Sequence, residues 1–209
     1  MEVEKVNVAD KILEEARGLF LQFGLKTVSM DDIARSVGVS KKTIYQHYKD
    51  KNAIIAKVVK THFDRQKELI IETTTDTDNC IEELYEMSKC MRMSVESVNP
   101  AVMYDLERFY PKMFKIFIKF KYEFILEHLK NTLMRGMKEG YFREDINVDI
   151  IATLRMAQVQ FSFDPEIYPK EKFNFQEVHQ QLFKHFALGL LTDNGRVLFK
   201  HYFDEEHEA

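Results

Sequence analysis

Residues 27–55, TVSMDDIARSVGVSKKTIYQHYKDKNAII, carry the signals of two short helices joined by a tight turn. The hydroxyl of Ser29 can cap the free N–H groups at the start of the first helix, and Ser40 can cap the second. Gly38 permits the tight turn between them. Three apolar side chains would lock the two helices together, namely Val37, Val39 and Ile44. This is the helix-turn-helix arrangement, in which the second helix presents its exposed face to the major groove of DNA.

Apolar residues at helical spacing extend this pattern on both sides of the motif. Segment 10–24 predicts an amphipathic helix ending at Gly24, with an apolar face of Ile12, Leu13, Ala16, Leu19, Phe20 and Phe23. Asp50 can cap a further helix, whose apolar side holds Ile54, Ile55, Val58 and Val59. We therefore expect three helices at the N-terminus, followed directly by a fourth.

The motif is basic, whereas the chain as a whole is acidic. Between Arg35 and Lys60, seven Lys and Arg residues accompany a single anion, Asp50, although the net charge of the full chain is −4. A local basic patch on an acidic body is typical of a DNA-binding head joined to a separate sensor. An isolated run of charge is more often just a solvated surface, so this patch gains its meaning from the motif that it overlaps.

The remainder of the chain favours an all-α fold, because 7 Gly and 4 Pro in 209 residues are few for a sheet that needs many turns. Residues 114–124, FKIFIKFKYEF, alternate as a strand would. The apolar pattern nevertheless runs to Gly136 without a turn signal, which favours a long helix. A polar loop is expected at 73–79. Three further helices are predicted, at residues 80–98, 149–163 and 174–191.

Residues 10–59 resemble the N-terminal domain of the TetR family of bacterial transcriptional regulators. The residues that carry this resemblance are Gly24, Ser29, Ile33, Ala34, Gly38, Val39, Ser40, Thr43, Ile44, Tyr45, Tyr48 and Lys51. The resemblance implies an all-α chain of about nine helices. A helix-turn-helix DNA-binding domain would occupy residues 1–52, and a helical ligand-binding and dimerisation domain residues 53–209. It also implies a homodimer that represses transcription from a palindromic operator in double-stranded DNA until a small-molecule effector releases it.

The DNA contacts are expected on the second helix of the motif and beside it. Contacts to phosphates or base edges are predicted for Ser29, Lys41, Lys42, Thr43, Tyr45, His47, Tyr48 and Lys51. Tyr45 is the foremost of these, because an exposed aromatic on a polar helix face fits an interface better than a core. Ser29 can instead be a plain cap, His47 can cap its own helix, and Tyr48 matches a family aromatic that packs the domain.

Two sets of apolar residues in the C-terminal part are candidates for binding. A pocket for an apolar or aromatic effector could be lined by Met87, Met91, Tyr104, Phe109, Met113, Phe117 and Met156. A four-helix bundle across a twofold axis could be built from Ile150, Ile151, Leu154, Val178, Leu182, Phe186 and Leu190. Either set can equally be the packed core of one subunit, which is the commoner role of such residues.

Two other classes stand beside an effector-controlled regulator. A DNA-binding regulator controlled by a protein partner would have a fully packed body. A helical-bundle enzyme with a di-iron site would need a Glu three residues before a His, and the seven His lack that spacing. Cys80 and Cys90 also lack zinc spacing and are expected to be reduced core residues, so no catalytic residue, metal or cofactor is predicted. The charged N-terminus and the short apolar runs indicate a cytoplasmic protein without a membrane segment.

Overall fold

The structure is a computed structural model that describes residues 7–96, 98–99, 101–164, 166–169 and 171–204. Its helices are α1 (Val8–Phe23), α2 (Met30–Val37), α3 (Lys41–His47), α4 (Lys51–Thr75), α5 (Cys80–Glu96), α6 (Ala101–Phe109), α7 (Pro111–Lys119), a π-helical segment (Phe120–Ile125), α8 (Leu126–Lys138), α9 (Val148–Phe161), α10 (Phe175–Leu190) and α11 (Asp193–Asp204). Within these residues the only β-structure is an isolated bridge between Phe142 and Leu191. The all-α prediction is confirmed. None of the described helices has both the length and the apolar character needed to cross a bilayer.

The chain forms two compact units. Unit 1 contains residues 1–66 and 97–120, and unit 2 contains residues 67–96 and 121–209. The domain boundary predicted between residues 52 and 53 lies within α4, whose first part belongs to unit 1. The predicted boundary therefore does not coincide with the division into compact units, and as a boundary between functional domains it stays a prediction.

The core of unit 1 is built where α1, α2 and α3 pack on the first part of α4. Its buried apolar side chains include Ile12, Ala16, Phe20, Ile33, Ile44, Ile54 and Ile55. Val102 and Leu106 of α6 join the same core. Full burial of one such aliphatic or aromatic side chain is worth about 1.5–3 kcal/mol. A helix remote in sequence therefore helps to hold the helix-turn-helix motif.

The core of unit 2 gathers apolar residues from its long helices and from the segment after α8. It includes Cys80, Ile81, Leu84, Leu129, Leu133, Phe142, Phe183, Phe186 and Leu190. Gly136 is required there, because a Cβ at this position would lie 2.1 Å from Cδ2 of Phe142. Both cysteines are unpaired and buried, as predicted. Burial, reinforced by Glu139, raises the pKa of the Cys80 thiol far above its ordinary value.

The alternating segment 114–124 is helical, as its length predicted. Helix α7 begins at Pro111 and passes through the π-helical segment into α8. The π-helical segment places Lys121 in the interior of unit 2, where its Nζ donates a hydrogen bond to Oε1 of Gln160 at 2.8 Å. A π-helical turn inside an α-helix often re-aims one side chain in this way.

Two boundaries differ from the sequence prediction. The segment 73–79 was expected to be a loop, but Thr73 to Thr75 belong to α4. Each of their hydroxyls donates to a carbonyl one turn earlier, to Leu69 from Thr73, Ile70 from Thr74 and Ile71 from Thr75, which satisfies polar side chains inside a helix. The second difference lies after the last predicted helix. Residues 192–195 were expected to end that helix, but a further helix, α11, begins there at Asp193.

Candidate DNA-binding surface

Helix α2 begins with a reciprocal capping box. The Asp32 amide donates to Oγ of Ser29 at 3.2 Å, while the Ser29 amide and hydroxyl both donate to Oδ2 of Asp32, at 2.9 and 2.6 Å. The Ser29 bonds lower the pKa of Asp32. Ser29 is therefore a helix cap in the free protein, and its exposed position leaves a phosphate contact open.

The turn between α2 and α3 depends on Gly38, which has a left-handed φ of 76° that disfavours a side chain. The amides of Gly38 and Val39 both donate to the carbonyl of Ala34, at 3.0 Å. Ser40 then caps α3 by accepting from the amide of Thr43 at 3.1 Å. These bonds fix the angle at which α3 leaves the turn.

Helix α3 has one buried side and one broad exposed side. Ile44 is fully buried and anchors the helix to the core of unit 1. The exposed side holds Lys41, Lys42, Tyr45, Gln46 and His47. The Tyr45 ring is 48% exposed, which is a large apolar area to leave in water without a partner. The sequence Lys41–His47 contains no acidic residue, so this face repels cations and attracts a polyanion.

The cations on this face differ in how they are held. Nζ of Lys41 donates to Oδ2 of Asp31 at 2.9 Å, and this hydrogen bond and charge raise the pKa of Lys41. Lys42 and His47 have no ion pair or hydrogen bond within the described residues and are exposed. Thr43 is half-buried, and its hydroxyl lies 2.8 Å from that of Ser40. Lys42 is therefore free to reach a phosphate, whereas Lys41 must exchange a carboxylate for one.

Tyr48 and Lys51, two of the predicted DNA contacts, also make hydrogen bonds within the protein. The Tyr48 hydroxyl donates to the carbonyl of Ala9 at 3.1 Å, and burial raises its pKa. Nζ of Lys51 donates to the carbonyl of Lys26 at 3.1 Å, and burial lowers its pKa. Tyr48 thus packs within unit 1 in the free protein, and its predicted phosphate contact stays a prediction. Lys51 has three N–H donors and keeps the capacity for a further contact.

The loop between α1 and α2 is bound by residues that the sequence did not single out. The buried carboxylate of Asp105 in α6 accepts from the Lys26 amide at 2.7 Å, and Nζ of Lys26 lies 4.3 Å from the centroid of the Phe109 ring. Asn99 donates to the carbonyls of Leu21 and Gln22, at 2.8 and 2.9 Å. The one sequence signal for this arrangement is an acidic residue, Asp105, on the apolar side of α6. Its partner, Lys26, is 79 residues away in the chain, so the sequence did not connect the two.

The predicted pocket residues are divided between the two units. Unit 1 contains Tyr104, Phe109, Met113 and Phe117, and unit 2 contains Met87, Met91 and Met156. Tyr104 and Phe109 are exposed, with ring centroids 6.2 Å apart, and Met156 is buried. Phe117 packs beside Phe63 with ring centroids 5.7 Å apart. Because Tyr104 and Phe109 are exposed, they do not line an enclosed pocket within unit 1.

The predicted dimer residues divide in a similar way. Val178, Phe186 and Leu190 are buried within one chain, so the apolar phase of α10 marks the core of unit 2 rather than a subunit interface. Ile151 and Leu182 are half-buried. Ile150, Leu154 and Phe161 are exposed on α9. Of the residues named for dimerisation, those on α9 remain available to a second copy.

The described residues contain no group of three or more His, Cys, Asp or Glu side chains placed to hold a metal ion. Many of their ionisable side chains form ion pairs, such as Glu83 with Arg135 at 3.1 Å. The organised polar surface of unit 1 is the exposed side of α3 with the N-terminus of α2. A three-helix core that presents such a helix defines a helix-turn-helix, DNA-binding transcriptional regulator.

Comparison with known proteins agrees with this class. Residues 12–58 match the family model described as bacterial regulatory proteins, tetR family. Over 187 residues it is 23% identical to the uncharacterized HTH-type transcriptional regulator YvaF of Bacillus subtilis, a match covering 88% of this chain and 95% of YvaF.

Two further similar proteins match different lengths of the chain. The chain is 34% identical over 77 residues to IcaR of Staphylococcus aureus, the negative transcriptional regulator of the biofilm operon icaADBC, covering 37% of this chain and 41% of IcaR. A transcriptional regulator from Saccharomonospora viridis, solved in complex with choline, has a TM-score of 0.73 at 23% identity, covering 88% of this chain and 97% of that one. The helical body is therefore shared as a fold.

Proposed function

We propose that this regulator is a repressor that binds a palindromic operator as a homodimer and leaves it when a small molecule binds to unit 2. The observation that carries the DNA-binding part is the exposed, cationic side of α3 with Tyr45 at its centre. Repression is supported by the similarity to IcaR, a negative regulator. An effector is supported by the shared fold with a regulator that was solved with choline.

On the operator, α3 lies in the major groove and the start of α2 crosses the sugar-phosphate backbone. Lys42 and Lys51 bind phosphates, together with Ser29 and Thr43, while Lys41 leaves Asp31 for a phosphate. Tyr45 packs on base edges, and His47 donates to a phosphate or base at the end of the helix. The phosphate contacts give an affinity that falls steeply with salt.

The homodimer uses the outer side of α9, where Ile150, Leu154 and Phe161 are exposed. Ile150 and Leu154 are four residues apart and so lie on one face of the helix. An apolar helix face of this kind is stable in water when a second copy covers it. Two α3 helices would then reach successive major grooves, about 34 Å apart.

The release mechanism acts through α6, which follows α5 of unit 2 in sequence and packs in the core of unit 1. Asp105 ties this helix to the loop before α2, and Asn99, just before α6, binds the last turn of α1. An effector that prefers a different position of α6 would shift this loop and the spacing of the two heads. Its differential affinity for the two forms sets how far DNA binding falls.

The test is binding of the purified protein to labelled DNA from upstream of its own gene, titrated across salt concentration. We expect tight, sequence-dependent binding that Tyr45→Ala weakens by about 1–3 kcal/mol, or roughly fivefold to 150-fold, because a base contact is lost. Tyr122→Ala removes an equally exposed tyrosine of unit 2 and should bind as the parent protein does. A chain that selects no site from genomic DNA, or equal affinity of the two variants, would contradict this role of α3.

Control by a protein partner is the second candidate, and the tight packing of unit 2 favours it. The cavity in unit 2 that reaches His179 and Phe183 has a volume of only about 30 Å³. A site of this size holds about one water molecule. If operator binding responds to no small molecule but to a captured protein, this candidate replaces the effector.

A further inference from the structure

Unit 2 contains a buried cation that lacks an anion. Arg155 of α9 is 6% exposed, and within the described residues its guanidinium has neither a carboxylate nor a hydrogen-bond partner. Its Cζ lies 5.2 Å from the ring centroid of Phe183 and 5.4 Å from that of Phe186. Burial lowers its pKa to about 10. Aromatic contacts offset only part of the desolvation of a buried cation, so the arrangement is incomplete without an anion.

Two further polar groups near Arg155 also lack partners. His179 of α10 is 3% exposed, and neither of its ring nitrogens has a hydrogen bond within the part of the chain that the structure describes. Oε1 of Gln158 is likewise buried and unpaired, and Gln158 lies one turn from Arg155 on α9. Buried polar groups are nearly always paired, so three such groups on two neighbouring helices indicate a missing ligand.

A small cavity in unit 2 reaches one member of this cluster, His179, and also Phe183, whose ring contacts Arg155. It has a volume of about 30 Å³ and is lined by His179 and Phe183, with Lys89, Arg92 and Lys184 around it. Tyr85 and Phe203 complete an aromatic wall, and none of the lining residues is acidic. Glu86 is paired with Lys89 at 3.6 Å. Basic and aromatic side chains therefore line the cavity, and such a lining suits an organic anion better than an organic cation.

We propose that Arg155 and His179 form the inner end of a binding site for the carboxylate of a small aromatic or aliphatic acid, and that this acid is the effector. The planar guanidinium can donate two parallel N–H bonds to a carboxylate. His179 is neutral at pH 7 and can donate one N–H to the same group. The aromatic wall holds the apolar body of the acid. The assignment of this acid as the effector rests on the proposed function.

The size of the cavity explains how such an acid would act on the protein. Space for about one water molecule cannot admit an organic acid, so binding requires α10 to separate from α5 or α11. The acid then binds the opened form alone, which is the differential affinity that a regulatory ligand needs. The chemistry is opposite to that of the similar regulator solved with choline, because choline is a cation.

The experiment is calorimetric titration of the full-length protein with benzoate, phenylacetate and octanoate, each beside its neutral amide. Choline and inorganic phosphate serve as further probes. We expect at least one acid to bind and its amide to bind far more weakly. Arg155→Met should weaken the acid by about tenfold to a hundredfold, because a charge-assisted hydrogen bond is lost, and should leave the amide unchanged. Arg143→Met removes an exposed arginine of unit 2 and should leave both affinities unchanged.

Thermal unfolding separates this role from a purely structural one. Without acid, Arg155→Met should unfold at the same or a higher temperature than the parent, because it removes an unpaired buried charge. Acid should raise the unfolding temperature of the parent only. The proposal is overturned if none of the acids binds, if acid and amide bind equally, if choline or phosphate alone binds, or if Arg155→Met lowers the unfolding temperature. Acid binding is measured without DNA, so a protein that binds no operator refutes the proposed function and still decides this site.

Discussion

His179 is an imidazole that the fold keeps uncharged. Burial, followed by the positive charges of Arg155 and Arg92, lowers its pKa from 6.5 to about 4. Between these two values the unfolded chain binds a proton that the native chain does not, so stability falls as pH falls through this window. We expect His179 alone to reduce the free energy of unfolding by about 2 kcal/mol between pH 7 and pH 5, measured by urea unfolding.

Substitution isolates this contribution from that of the other titrating groups. His179→Gln removes the imidazole, so the difference in unfolding free energy between the two pH values should shrink by the same amount. His185→Gln on the same helix replaces an exposed histidine and should retain the full difference. If His179→Gln retains the full difference as well, native His179 binds its proton over the same pH range as in the unfolded chain. The account of this buried site is then wrong.

The sequence signals of the candidate DNA-binding surface are local, and the contacts predicted from them stay predictions. Ser29, Gly38 and Ser40 each act on a helix end within a few residues, and helical spacing places Tyr45 on a different face of α3 from the buried Ile44. Arg155 and His179 gave no such signal. A cation on an apolar helix is usually solvated, and only the packing of α9 and α10 shows that both side chains point inward.

At the scale of helices, α6 connects the core of unit 1 to the loop before α2 through one carboxylate. Asp105→Ala removes the acceptor of the Lys26 amide. We expect the free energy of unfolding to fall by roughly 1–3 kcal/mol, and operator affinity to fall with it, because a hydrogen bond to a charged group is lost and the loop is released. Urea unfolding and DNA titration measure the two effects.

Glu107→Ala is the matched change on the exposed side of α6 and should leave both quantities within about 0.5 kcal/mol of the parent. A variant Asp105→Ala that loses stability while keeping its operator affinity would show that α6 supports the fold of unit 1 without orienting α3.

Helix boundaries were predicted well where a cap or a glycine marks them and poorly elsewhere. Asn147 and Asn174 cap α9 and α10 beside their predicted starts. Polar composition suggested a loop at 73–79, but threonine hydroxyls can bond to their own helix, so α4 continues. The π-helical segment could not be predicted from the apolar pattern. A single turn with a different number of residues changes the spacing of apolar residues too little to be distinguished from an α-helix.

At the scale of the whole molecule, composition and the resemblance predicted the fold, while the roles of α9 and α10 needed the structure. Both helices are rich in apolar residues, so sequence alone assigned both to a subunit interface. In the structure, α10 directs Val178, Phe186 and Leu190 into its own core, whereas α9 leaves Ile150, Leu154 and Phe161 in water. We propose on this basis that an interface between two copies centres on α9, with the half-buried Leu182 as the available side chain of α10.

Leu154→Glu tests that interface directly. A carboxylate in the middle of an apolar contact between two copies would be desolvated without a partner, so the dimer should dissociate in sedimentation velocity measurements. Operator affinity should fall by about tenfold or more, because a monomer holds one half-site and loses the gain of simultaneous binding. Ile71→Glu places the same charge on α4, at a residue that is also 48% exposed, and should remain dimeric. A Leu154→Glu protein that stays a dimer with full operator affinity would move the interface away from α9.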